Sequence, residues 1–125
     1  VHALDRINEA GYVMACLTNN VLSDQPVAVD EIERKRQEEL RAVLARFSAV
    51  IESSKVGVRK PEPRFYEIAC ETVNVQPDEC VFLDDLGINL KPAAAMGMQT
   101  IKVANSTQAL TELSHVLGLA SILPR

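Results

Sequence analysis

The chain has 125 residues, the size of one domain. With 47% hydrophobic and 24% charged residues its composition is that of an ordinary globular domain, which excludes a collagen-like, low-complexity or wholly disordered chain. A formal net charge of -4 argues against nucleic-acid binding, because a phosphate backbone is held by Lys and Arg.

Leu4, Ile7 and Ala10 have helical spacing, and Gly11 is a suitable stop. Tyr12 to Leu17 is a continuous apolar run ending at Thr18-Asn19-Asn20, the pattern of a strand covered on both faces. Residues 21–29 read as irregular. Asp30 with Glu33 resembles a capping box opening a helix. Its inward stripe is expected to be Ile32, Leu40, Val43, Leu44 and Phe47, with Arg34, Lys35, Arg36, Glu38, Glu39 and Arg41 as a solvated face. Ala49 to Glu52 is a second strand, followed by a loop from Ser53 to Pro63. A cis Lys60-Pro61 bond is a minority reading of that loop. Pro63 suits a first helical turn, and Phe65, Ile68, Ala69, Thr72 and Val73 line one face of the helix it opens.

Cys80 to Leu83 is a third strand ending at Asp84-Asp85, Asn89 to Met96 a helix stopped by Gly97, and Thr100 to Val103 a fourth strand. Ser106 or Thr107 caps a last helix with Leu110, Leu113, Val116 and Leu117 inward, and residues 121–125 are expected to fray. His2 and His115 are assigned surface or packing roles. Three cysteines without CxxC spacing argue against a disulfide framework or a zinc site; Cys16 and Cys80 are expected to be buried thiols in a reduced, intracellular protein. No apolar run reaches the roughly 18 residues of a membrane span.

Strands alternating with helices imply a parallel sheet with helices on both faces, and in such sheets ligands bind beyond the carboxyl ends of the strands. Thr18-Asn19 and Asp84-Asp85 both fall at that edge, and Lys60, in the loop after the second strand, can reach it. A hydroxyl and an amide can donate to phosphoryl oxygens, and a lysine supplies a compact positive charge. Two carboxylates suit a magnesium ion that keeps several waters. The set reads as a magnesium-phosphate site. Singly, each group has a plainer reading: Thr18 or Asn19 as a turn residue, Asp84-Asp85 as a helix cap, Lys60 as a surface lysine. No GxxxxGK[ST] or GxGxxG loop is present. The order Thr18, Lys60, Asp84-Asp85 also differs from that of a phosphorelay receiver, where the acidic pair comes early and the lysine last.

This order resembles the haloacid dehalogenase superfamily. Leu17-Thr18-Asn19-Asn20 looks like its second motif, Lys60 within Gly57-Val58-Arg59-Lys60-Pro61-Glu62-Pro63 like its third, and the stretch from Val81-Phe82-Leu83-Asp84-Asp85 to Pro92-Ala93 like its fourth. The similarity is strongest to the phosphatase-like N-terminal domains of soluble epoxide hydrolases and the dehalogenase-like segments of the acyl-CoA dehydrogenase family. It runs from about Gly11 to Leu119.

The resemblance implies an α/β, Rossmann-like core, a parallel sheet flanked by helices, and magnesium-dependent hydrolysis of a small phosphorylated substrate through an aspartyl-phosphate. Thr18 and Asn19 would bind the phosphoryl group, Lys60 would stabilise nucleophile and phosphoryl, Asp85 would ligate magnesium, Asp84 would hold a metal-bound water or orient Lys60, and Asn89 would support the loop. The family's first motif, an Asp-x-Asp pair supplying nucleophile and acid-base, has no counterpart: Asp5 and Glu9 are the acids before Thr18. The cap is missing too. Residues 1–125 are therefore expected to form one partial, N-terminally truncated core, inactive alone, with association through an exposed sheet edge and a cytoplasmic, mitochondrial or peroxisomal location. A non-catalytic module derived from the fold and an anion-binding regulatory domain are the alternatives.

Overall fold

The computed structural model describes residues 2–19 and 30–119. Helix α1, His2–Glu9, buries Ala3 and Ile7 and ends before Gly11, whose φ of 90° is readily available to glycine. Strand β1 is Ala15–Thr18, shorter than the apolar run predicted: Tyr12 and Val13 lie outside it and are exposed. Apolar character alone does not say where a ladder begins. Helix α2, Glu31–Leu44, is opened by Asp30, whose carboxylate accepts a 2.8 Å bond from the Glu33 N–H. Strand β2, Ala49–Glu52, has the boundaries the sequence predicts.

The loop expected from Ser53 instead begins with a short helix, α3, Ser53–Val56, closed by Gly57 at φ 78°. The Lys60-Pro61 peptide is cis. Pro63 then opens α4, Pro63–Val73, which buries Phe65, Tyr66, Ala69 and Cys70; Thr72, expected on that face, is exposed. A 3₁₀ turn over Pro77–Glu79 leads to β3, Val81–Asp84. Helix α5, Gly87–Ala95, starts two residues before the predicted start, and β4 is Gln99–Lys102. Helix α6, Ser106–Leu117, is capped by Asn105 rather than Ser106 or Thr107, in a reciprocal box with Gln108.

The strands form two parallel ribbons. β1 pairs with β2 from Ala15 opposite Ala49 to Thr18 opposite Glu52, and β3 with β4 from Val81 opposite Gln99 to Asp84 opposite Lys102. Among the described residues no ladder joins β1 to β3, so the parallel strands form two two-stranded sheets. Side chains hold the ribbons together. Val81 and Leu83 face a cluster built on Ala3, Ile7, Met14, Ile101 and Leu113, while Phe82, pointing the other way, joins Leu17 around Ile51, Phe65, Tyr66, Ala69 and Ala93. The period-2 alternation of β3 thus serves both faces. Ala15, Cys16 and Leu17, like Val81, Phe82 and Leu83, are half-buried.

Helix α2 departs furthest from expectation. It buries no residue fully, and Ile32, placed on the inward stripe, is 68% exposed. Val43, Leu44 and Phe47 are half-buried. The thiols also exchange roles: Cys70 is buried, whereas Cys16 and Cys80 are half-buried. His2 and His115 are exposed. The irregular stretch at 21–29 and the fraying at 121–125 fall outside the described residues. Among the described residues no helix is long and apolar enough to cross a membrane.

Candidate functional site

Parallel pairing puts Thr18 and Glu52 at the same end of one ribbon, and Asp84 at the corresponding end of the other. The segment after β2 carries Lys60 across this edge. The side-chain amide of Asn19, one residue past β1, grips the Lys60 backbone from both sides: its Nδ2 donates to the Lys60 carbonyl at 3.2 Å and its Oδ1 accepts from the Lys60 N–H at 3.0 Å. The Ser53 hydroxyl donates to the Asn19 carbonyl at 3.3 Å, tying the start of α3 to the same turn.

So held, Lys60 extends to β3. Its Nζ donates to Asp84 Oδ2 at 2.9 Å, with the two side chains only 14% and 6% exposed. The other groups around Asp84 are also donors. Its Oδ1 accepts from the Leu86 N–H at 2.9 Å and its Oδ2 from Asn89 Nδ2 at 3.3 Å. The Asp84 carbonyl accepts from the Val103 N–H at 2.9 Å, which fixes the strand end. Asn89, buried in the first turn of α5, is anchored by the Tyr66 hydroxyl, which donates to its carbonyl at 2.6 Å. The chain running from Tyr66 through Asn89 and Asp84 to Lys60 and Asn19 is continuous and links both ribbons.

Burial pushes the Asp84 carboxyl up, but the Leu86 N–H, the Lys60 hydrogen bond and charge, and the Asn89 amide outweigh it, holding the pKa below the usual carboxylate value. Asp84 is therefore a charged acceptor at neutral pH. Burial and then the Asp84 charge push the Tyr66 phenol up to about 12, so it remains a donor. Burial raises the Cys16 thiol, opposed by the charge of Lys60.

The structure thus gathers Asn19, Lys60, Asp84 and Asn89 into one network. Thr18 is buried at the head of the same edge, and Asp85, next along from Asp84, is exposed. Among the described residues no group of three or more His, Cys, Asp or Glu side chains is placed to hold a metal ion. Asp85 is nonetheless a hard oxygen donor at the site edge. That donor set fits magnesium, which takes one or two protein carboxylates and completes its shell with water and phosphate oxygens.

Sequence reasoning missed three residues. Glu52, which the sequence places in the second strand without a role, is buried opposite Thr18 and pairs with Lys55 at 3.0 Å. The available signal was its place as the last residue of a strand in a parallel sheet, the end at which ligands bind. Ser53 was placed in a loop and Tyr66 was not assigned.

The model of the haloacid dehalogenase-like hydrolases matches residues 1–97. The chain is 41% identical over 113 residues to bifunctional epoxide hydrolase 2 of Mus musculus, covering 90% of this chain and 19% of that protein. It is 37% identical over 116 residues to acyl-CoA dehydrogenase family member 10 of Mus musculus, covering 93% of this chain and 10% of that protein. It therefore spans a fifth or less of these relatives. A HAD phosphatase from Thermococcus onnurineus superposes with a TM-score of 0.72 at 22% identity over 97% of this chain and 57% of the other, a likeness of fold. With most of its length matched by the family model, and with the motifs converging as described, this chain belongs to the haloacid dehalogenase-like hydrolase family.

Proposed function

We propose that the chain carries the phosphate- and magnesium-binding half of a phosphomonoesterase site. The observation that carries this reading is the Lys60 ammonium, fixed by Asp84 and by the Asn19 clasp beside the end of β1. Thr18 donates its hydroxyl to a phosphoryl oxygen. Asn19 Nδ2 has two hydrogens, one of which goes to the Lys60 carbonyl; the second suits another phosphoryl oxygen. Lys60 stabilises the negative charge of the transferred group without needing to reorganise, because its position is set beforehand. Asp84 holds Lys60, Asn89 holds Asp84, and Asp85 would ligate the metal. A bound magnesium ion would supply Lewis-acid stabilisation of phosphoryl charge.

In this reading hydrolysis proceeds through an aspartyl-phosphate, and the nucleophile belongs to an Asp-x-Asp that is not among these residues. Nucleophilic catalysis needs that positioned carboxylate, so the 125-residue chain alone is inert. The alternative, a non-catalytic interaction module, is favoured by the missing Asp-x-Asp and, among the described residues, by the lack of a ladder between β1 and β3, and is disfavoured by the retained Thr18, Lys60 and Asp84-Asp85.

Two measurements test the proposal. Magnesium and inorganic phosphate titrated into the chain and followed by amide NMR should shift Thr18, Asn19, Lys60 and Asp85 together, and Lys60→Met should abolish the phosphate response. No response to either ion supports the interaction module. Aryl phosphate hydrolysis by the chain should not exceed that of Lys60→Met; magnesium-dependent turnover lost in Asp85→Asn would overturn the claim of inertness.

A further inference from the structure

Away from the site, the last turn of α4 and the approach to β3 bring two thiols together. Cys70 faces inward from α4 and is 5% exposed. The chain then turns at Asn74, in the left-handed region at φ 56°, passes through the 3₁₀ turn and returns at Cys80, ten positions along. The two sulfurs lie 3.9 Å apart, and the Cys80 thiol also donates to the Gln76 carbonyl at 3.4 Å. A disulfide needs sulfurs at about 2 Å with Cβ atoms near 3.8 Å, so closure asks for a small approach of side chains already in contact. A surface cavity of about 330 Å³ reaches the pair on the Cys70 side, where Arg64, Glu71, Asn74, Gln76 and Pro77 also line it.

We propose that Cys70 and Cys80 form a redox-responsive dithiol that closes into an intramolecular disulfide by exchange with a small-molecule disulfide. The half-buried Cys80 attacks first as its thiolate, forming a mixed disulfide and releasing one small thiol. Cys70 then attacks the Cys80 sulfur and releases the second. Two protein thiols are oxidised, one small disulfide is reduced to two thiols, and the protons pass to the departing sulfurs. Burial first, then the neighbouring Cys70 thiol, then Glu79 and Asp78 raise the Cys80 pKa to about 12, so little thiolate is present and exchange is slow. Position gives closure its consequence. Cys70 sits on the helix that follows Lys60, and Cys80 at the root of the strand that carries Asp84. The bond would staple the two segments that present the buried ion pair.

The test equilibrates the whole chain with mixtures of reduced and oxidised glutathione, followed by alkylation and mass spectrometry. Cys70 and Cys80 lie on one tryptic peptide, so digestion after glutamate is used; it cuts at Glu71 and Glu79 and leaves the two cysteines joined only through sulfur. The expected result is loss of two hydrogens, no alkylation at Cys70 or Cys80, full alkylation at Cys16, and a melting temperature several degrees higher, since a short loop has been closed. Cys16→Ser should close identically. Alkylation of all three cysteines at every ratio, a persistent glutathione adduct without closure, or a linkage through Cys16 would overturn the proposal.

Discussion

On α2, Arg34 and Glu31 form an ion pair whose side chains are 57% and 85% exposed; at the carboxyl edge, Lys60 and Asp84 form one whose side chains are 14% and 6% exposed. The residue types are equivalent and the consequences are not. Water screens the first pair and solvates either partner when the other is removed. In the second, each charge is set in a surround already committed to the other, so losing one partner strands the remaining group with little solvation. The contrast separates charges that keep a helix soluble from charges that define a site.

Asp84→Ala should break the comparison most strongly. It leaves the Lys60 ammonium poorly solvated and removes the acceptor for Leu86 and Asn89, and should cost about 2–4 kcal/mol in chemical unfolding. The double change Lys60→Met with Asp84→Leu should recover much of that loss; failure to recover it would show that backbone and Asn89 contacts, not charge, dominate. Acid sharpens the same point. The Asp84 pKa lies below its unfolded value of 3.8, so its contribution is present above that pH and is lost as pH falls through the lower folded value. Wild type should lose more stability than Asp84→Asn between pH 5 and roughly pH 2, measured by denaturant midpoints.

Next in size is Tyr66→Phe. It deletes the bond that anchors Asn89 while keeping the ring edge-on to Phe82, at 5.2 Å between centroids, and should cost about 1–2 kcal/mol. Smallest are changes on α2. Arg34→Ala and Ile32→Ser should each move stability by no more than about 0.5 kcal/mol; a larger loss for Ile32→Ser would mean that this face is covered in solution.

Much of this was legible in the sequence. β2 was readable to the residue because a short apolar run ends at Glu52 and Ser53. The start of α4 was readable because Pro63 suits a first turn and little else there. That Lys60 and Asp84 come to one edge followed from a general rule about strand ends in parallel sheets, and the family resemblance offered the orienting of Lys60 as one of two roles for Asp84. Other features were not legible. The periodicity of α2 gives the direction of an apolar face but not what packs against it, so Ile32 was misplaced. Helix α3 is too short for periodicity to register. The apolar character of Cys16 and Cys80 marked them as buried, yet it is Cys70, on the inner face of α4, that lies in the core. The clasp of Asn19 on the Lys60 backbone depends on a loop path that residue spacing does not encode.

The division of the strands into β1–β2 and β3–β4 carries one more consequence. Each ribbon is a stretch of consecutive chain whose main-chain bonds close within itself, so neither needs the other to complete its own ladder. Among the described residues, the links between the halves include the two shared cores, the Tyr66–Asn89 bond, the Lys60–Asp84 bridge, the Cys70–Cys80 contact and the Tyr12 hydroxyl, which donates to the Leu117 carbonyl. Opening between them would cost no strand-to-strand hydrogen bond among the described residues. Amide exchange should therefore resolve two separately protected blocks, and the reach of the lysine toward the aspartate becomes the most sensitive reporter of whether those blocks are seated.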